Sequence, residues 1–174
     1  MKLREAVRSL LIQELGDSTK GYRYKLESSE LGSGWRNKAK RKYTFETDNK
    51  EYVVKLGVEM KYDRHNGSPV MEVDFTSIDK QGKEDITYSI TNDDMFGVIA
   101  TVANIIEECV KEWLPEVEDH HGEEIKYLSF TPAGFTNSPK YQQRIDLYAQ
   151  FVKSRLPGSK IEKGRGHSYY IEIG

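Results

Sequence analysis

The side chains with the clearest chemical capacity sit in a few short segments of this 174-residue chain. Trp35-Arg36-Asn37-Lys38-Ala39-Lys40-Arg41-Lys42 places five basic residues within seven positions, next to a tryptophan. Such a run can follow a phosphate backbone and stack a base on its aromatic ring. As a solvated loop and strand edge, the same lysines discourage edge-to-edge pairing. Asp119, His120, His121, Glu123 and Glu124 carry metal-ligand side chains, but adjacent histidines rarely face one ion in the way a His-x-x-x-His pair does. A solvated acidic loop is the expectation there, with no metal. Arg144 and Tyr148 stand one turn apart near the buried face of an amphipathic segment. An arginine so placed holds a phosphate or carboxylate, or pairs with a carboxylate of the protein itself. Cys109 lies on an apolar stripe with no identifiable base, which makes it a small core residue.

Composition narrows the classes. Twenty-six basic side chains stand against 28 acidic ones, for a net charge of −2. A dedicated nucleic-acid binder shows a basic excess on one face, so nucleic acid is the lesser partner expectation and a protein partner the greater. No run of about 18 apolar residues offers a membrane span, and Leu10-Leu11-Ile12 is too short for the core of a signal peptide. The single cysteine excludes internal disulfides and multi-cysteine metal sites, and it fits a reducing cytoplasm. The length suits one domain, residues 1–174.

These residues must be positioned by elements whose periodicity is readable. Leu3, Val7, Leu10, Leu11 and Leu15 predict an N-terminal helix. Tyr22, Tyr24 and Leu26 alternate as in a strand, and Ser28 to Gly34 reads as a loop. Tyr43 and Phe45, then Tyr52 to Met60, then Met71 to Phe75, then Ile86 to Ile90 predict a four-stranded antiparallel meander, turning at Asp48-Asn49, Asn66-Gly67 and Gln81-Gly82. Met95, Val98, Ile99, Val102, Ile105, Ile106, Cys109, Val110 and Trp113 form the apolar stripe of a helix over Thr91–Pro115. Thr101, Asn104, Glu107 and Glu108 fall on its polar side, and Pro115 reads as its end. Glu116 to Glu124 reads as an acidic loop. Tyr127 to Thr131 is a short strand, expected parallel to the Ile86 strand through a right-handed crossover. Ser138-Pro139 opens a second helix that ends at Leu156-Pro157-Gly158, and Tyr169, Ile171 and Ile173 close the chain as a strand. The fold class is mixed α/β: an N-terminal helix, then an antiparallel meander followed by β-α-β-α-β. Lys160, Lys163, Arg165 and His167 would extend the basic segment if the closing strand lies near it.

This order resembles the GCN5-related N-acetyltransferase fold, with Leu147-Tyr148 in register with that family's helix motif. The run Phe130, Arg144, Leu147, Tyr148 also resembles uncharacterised bacteriophage proteins. The resemblance implies an acyl-CoA-dependent N-acyltransferase-like domain with acetyl-CoA as cofactor. Gly97 and Arg144 would be its cofactor-binding residues, and Tyr148 the acid that protonates the departing thiolate. The family's phosphate loop binds a pyrophosphate at the start of the long helix. Here Thr91-Asn92-Asp93-Asp94-Met95-Phe96-Gly97 offers one glycine, no basic residue and two carboxylates, which implies a degenerate site. The alternative is a non-enzymatic phage-encoded interaction module in the host cytoplasm, whose partner is a host factor or virion protein. A third is nucleic-acid binding through Trp35, Arg36, Lys38, Lys40, Arg41 and Lys42.

Overall fold

The computed structural model describes residues 21–33, 38–60, 69–85, 95–130, 149–163 and 169–173. The predicted N-terminal helix, the Asn66-Gly67 turn, the Ile86 strand and the start of the second helix lie outside these residues. So do the side chains of Trp35, Arg36, Arg144 and Tyr148.

Alternating apolar residues build an antiparallel meander of β1 (Tyr24–Glu30), β2 (Ala39–Glu46), β3 (Glu51–Met60) and β4 (Pro69–Ile78), followed by β5 (Glu84–Asp85). The β2–β3 turn is fixed by Thr47, whose hydroxyl accepts the N–H groups of Asn49 and Lys50. At the β4–β5 turn Asp79 Oδ1 accepts the N–H groups of Gln81 and Lys83, and Gly82 takes a φ of +80°. That left-handed conformation is one glycine adopts without steric cost. The Asp48-Asn49 and Gln81-Gly82 turns are therefore where the sequence places them.

The helical region runs from Met95 to His121 in three pieces: α1 (Met95–Glu108), a π-helical turn (Cys109–Trp113) and α2 (Leu114–His121). Pro115 does not end it. Proline lacks an N–H, and in an α-helix its ring clashes with the carbonyl four residues back. The preceding turn is widened, with Leu114 N–H bonded to Cys109 O, five residues back, and Pro115 becomes an early residue of α2. The helix ends at Gly122, a left-handed cap (φ +71°) whose N–H reaches Glu118 O at 2.7 Å. Residues 116–121, expected as loop, are thus helical. The polar side predicted for α1 is also partly enclosed: Thr101 is 0% exposed, its hydroxyl bonded to Gly97 O at 2.6 Å and accepting Tyr22 N–H at 2.7 Å.

After α2 come β6 (Tyr127–Phe130), the helical residues 149–155 (α3), β7 (Lys160–Lys163) and β8 (Tyr169–Glu172). The strands share one sheet in the order β1-β2-β3-β4-β6-β8-β7, with β5 pairing β4 off that path. β6 is parallel to β4, with Val70 opposite Tyr127 and Val73 opposite Phe130, while the Ile86 strand expected as its partner lies outside the described residues. The β4–β6 pair is the one parallel ladder among the described strands. β7 has one apolar residue, Ile161, and exists through its ladder to β8.

The core lies between one sheet face and the helices. Tyr43, Phe45, Val54, Leu56, Met71, Val73 and Leu128 meet Val98, Val102, Ile105, Ile106, Trp113, Phe151 and Val152, all nearly solvent-free. Burying each large side chain contributes about 1.5–3 kcal/mol. The stacked rings of Tyr22, Phe45 and Tyr52 (centroids 6.1 and 5.0 Å apart) extend this core toward the β1 edge.

Candidate functional site

Strand alternation decides what the basic segment can do. Ala39, Tyr43 and Phe45 are buried under the helices, so Arg41 shares their face, while Lys40 and Lys42 are exposed on the other. Lys38, just before β2, pairs with Glu59 at 2.7 Å. The segment is therefore not one basic face: two lysines look outward and the arginine points toward the helix. β7 lies at the opposite edge of the sheet from β1, so Lys160 and Lys163 do not extend it.

Arg41 enters a polar cluster where the β1–β2 hairpin meets the π turn. Its Nε donates to Ser29 Oγ and its Nη1 to Tyr43 Oη, both at 3.0 Å, and its guanidinium carbon lies 5.4 Å from the centre of the Trp113 ring. Tyr43 Oη donates to Glu108 Oε1 at 3.0 Å, and Tyr24 Oη donates to Glu108 Oε2 at 2.7 Å. Cys109 Sγ lies 3.4 Å from Tyr43 Oη. One carboxylate thus receives two phenols, and the hairpin is tied to the helix at its π turn.

Burial, then the hydrogen bond to Glu108, pushes the Tyr24 phenol well above its ordinary value. Burial and the neighbouring Cys109 do the same to Tyr43. Burial pushes the Cys109 thiol up, against the opposing effects of Tyr43 and Arg41. All three keep their protons at neutral pH, so the cluster contains no thiolate nucleophile. The Trp113 ring is fully buried, and its Nε1 is one of two buried side-chain polar atoms without a partner among the described residues. The ring contributes its face to Arg41 and its bulk to the core.

The histidines act structurally. His120 Nε2 is 3.1 Å from Gly32 O and His121 Nε2 is 2.6 Å from Leu31 O, each ring N–H donating to a carbonyl just beyond β1. The last turn of α2 therefore pins the segment leading toward Trp35. Among the described residues no three metal-ligating side chains group together.

The parallel seam forms a second location. Met71, Val73 and Leu128 face the core, so Glu72, Asp74 and Ser129 lie on the opposite face of the sheet. Register places half-buried Glu72 opposite buried Ser129, and Ser129 opposite buried Tyr170. β6 pairs with β4 over Val70–Val73, and β5 pairs with the same edge at Ser77–Ile78. Gly97, in the first turn of α1, is buried, and its carbonyl is taken by Thr101.

Sequence reasoning missed the Tyr24–Arg41–Tyr43–Glu108 cluster. Its one local signal was an arginine at even spacing from Ala39, Tyr43 and Phe45, which strand alternation turns inward. Among the described residues no helix is long and apolar enough to cross a membrane. No protein-family model matches this chain, and no curated protein or solved structure matches it.

Proposed function

We propose that the chain is an acyl-CoA-dependent N-acyltransferase-like domain. The observation that supports this reading is the strand order β1-β2-β3-β4-β6-β8-β7, in which a central parallel pair, β4 and β6, is joined through the long α1. In the fold the sequence resembles, an acyl-carrying arm would enter beside such a parallel pair. Acyl-CoA would supply an activated thioester carbonyl. Glu72, half-buried on β4 opposite Ser129 of β6, would take the proton of an attacking amine. Tyr148 would return a proton to the leaving sulfur.

The phosphate-holding part is weakly provided. The described first turn of α1, Met95 to Val98, carries no basic side chain, and Gly97 is buried. β5 also pairs with β4 at Ser77–Ile78, on the edge that β6 uses at Val70–Val73. Those two features favour the second reading, an interaction module of phage type that uses the same fold without the cofactor.

Isothermal titration with acetyl-CoA at moderate salt separates them. Saturable micromolar binding, kept in Tyr148→Phe and Glu72→Gln while amine acylation is lost in both, is the expected result for the enzyme. Absence of heat at high protein concentration refutes it and leaves the binding module.

A further inference from the structure

We propose that Arg41 is the recognition residue of an oxyanion site at the junction of the β1–β2 hairpin with the π turn, taking a phosphate or carboxylate group. The guanidinium is fixed from three elements: Ser29 on β1 holds Nε, Tyr43 on β2 holds Nη1, and the Trp113 face lies 5.4 Å away. Arginine has five N–H donors and no acceptor. Ser29 and Tyr43 take two and the Cys109 sulfur a third, which leaves two for a ligand.

Among the described residues no carboxylate lies within ion-pair distance of Arg41. Glu108 is engaged by both phenols and reaches the guanidinium only through the Tyr43 hydroxyl. A half-buried, permanently charged group held in one orientation without an opposite charge among the described residues is poised for an anion, because docking then costs little side-chain ordering. Two parallel N–H bonds match two oxygens in one plane, which selects phosphate and carboxylate over halide.

The site is independent of the acyl-transfer reading. Glu108 is eleven residues from Gly97, about 16 Å along the helix, so loss of acetyl-CoA binding would leave this proposal standing.

The test follows the Arg41 Nε–H resonance and the Tm of the full chain during titration with inorganic phosphate and with acetate, using sodium chloride at matched ionic strength as the reference. Saturable shifts with phosphate or acetate are expected, and the tighter of the two identifies the preferred oxyanion. They should weaken at least fivefold in Arg41→Lys, which keeps charge but not the fork, and vanish from the Tm readout in Arg41→Gln. Lys40→Gln/Lys42→Gln, on the opposite face, should leave affinity within twofold. If Arg41→Gln does not fold, the Arg41→Lys and Ser29→Ala titrations decide, since both alter the fork's chemistry or its orientation. A response reproduced by chloride, equal in Arg41→Lys, or lost with the two lysines means an adventitious ion only and overturns the proposal. So does the absence of any saturable response.

Discussion

Removing the Tyr43 hydroxyl tests whether the polar cluster holds the edge hairpin to the helix. Tyr43 is 1% exposed. Its oxygen accepts from Arg41 Nη1 at 3.0 Å, donates to Glu108 Oε1 at 3.0 Å and lies 3.4 Å from Cys109 Sγ. Phenylalanine fills the same ring space, so Tyr43→Phe removes these contacts without opening a large cavity. Two of them involve a charged partner, and hydrogen bonds of that kind contribute about 1.5–3 kcal/mol each. They do not simply add, because Arg41 keeps Ser29 and Glu108 keeps Tyr24. The expected loss is therefore about 2–3 kcal/mol, or about 4–12 °C in Tm for a chain of this size.

Urea unfolding gives the direct measurement, with a lowered midpoint and an unchanged slope. A double-mutant cycle with Glu108→Gln, which keeps the shape and an acceptor oxygen but loses the charge, should give a coupling of about 1 kcal/mol or more. A Tyr43→Phe protein within about 0.5 kcal/mol of wild type, the range of an ordinary surface change, would refute the reasoning. Additive single and double mutants would do the same.

Other consequences can be checked with the same equipment. Tyr43 and Cys109 keep their protons in the folded state at pH values where the unfolded chain loses them, their ordinary values being 10.0 and 9.0. Their contribution to stability is complete below about pH 9 and is lost above it, by up to about 1.4 kcal/mol per pH unit for each group; urea midpoints from pH 8 to 11 should fall, and less steeply in Tyr43→Phe. Gly21→Ala should cost about 1–3 kcal/mol, because Gly21 has φ +71° and a Cβ there would stand 2.9 Å from Thr101 Oγ1. Gly82→Ala meets nothing within 4 Å and should cost only the left-handed backbone penalty of about 1 kcal/mol, so equal Tm losses at the two glycines would contradict the close approach. Ile105→Ala, wholly inside the core, should cost about 2–5 kcal/mol in urea unfolding. Lys38→Ala, removing a partly exposed pair, should cost about 1 kcal/mol or less by the same assay.

The sheet was legible where side chains alternate against the core. Tyr43, Phe45, Tyr52 and Val54 gave the β2–β3 hairpin its face, and the turn residues gave its position. What the chain order could not give was decided by tertiary pairing. β7 has the composition of a loop and becomes a strand because β8 offers it a ladder. The parallel partner of β6 is β4, and that choice depends on which strand edge the α1 crossover reaches. Pro115 is a valid stop for an α-helix, yet the π turn before it moves the carbonyl it would strike. The cluster was illegible for a related reason: Tyr24 and Tyr43 meet Glu108 across separations of 84 and 65 residues, and no local pattern encodes that meeting.

The basic segment shows how such local readings should be weighed. Counted along the chain, Lys40, Arg41 and Lys42 are one patch, and a phosphate backbone is its natural partner. Folded into β2 they are two surfaces, because successive side chains of a strand leave on opposite faces. Lys40 and Lys42 remain solvated charges, each worth little in isolation. Arg41 is immobilised by Ser29, Tyr43 and Trp113, and immobilisation converts a general attraction for anions into a geometric one. Charge reversal at the two lysines should therefore change the salt dependence of weak nucleic-acid association while leaving the fold intact. Substitution of Arg41 should alter both the hairpin's attachment and any recognition of a single oxyanion. If binding and stability respond alike to all three residues, the strand's division of the segment has no functional weight.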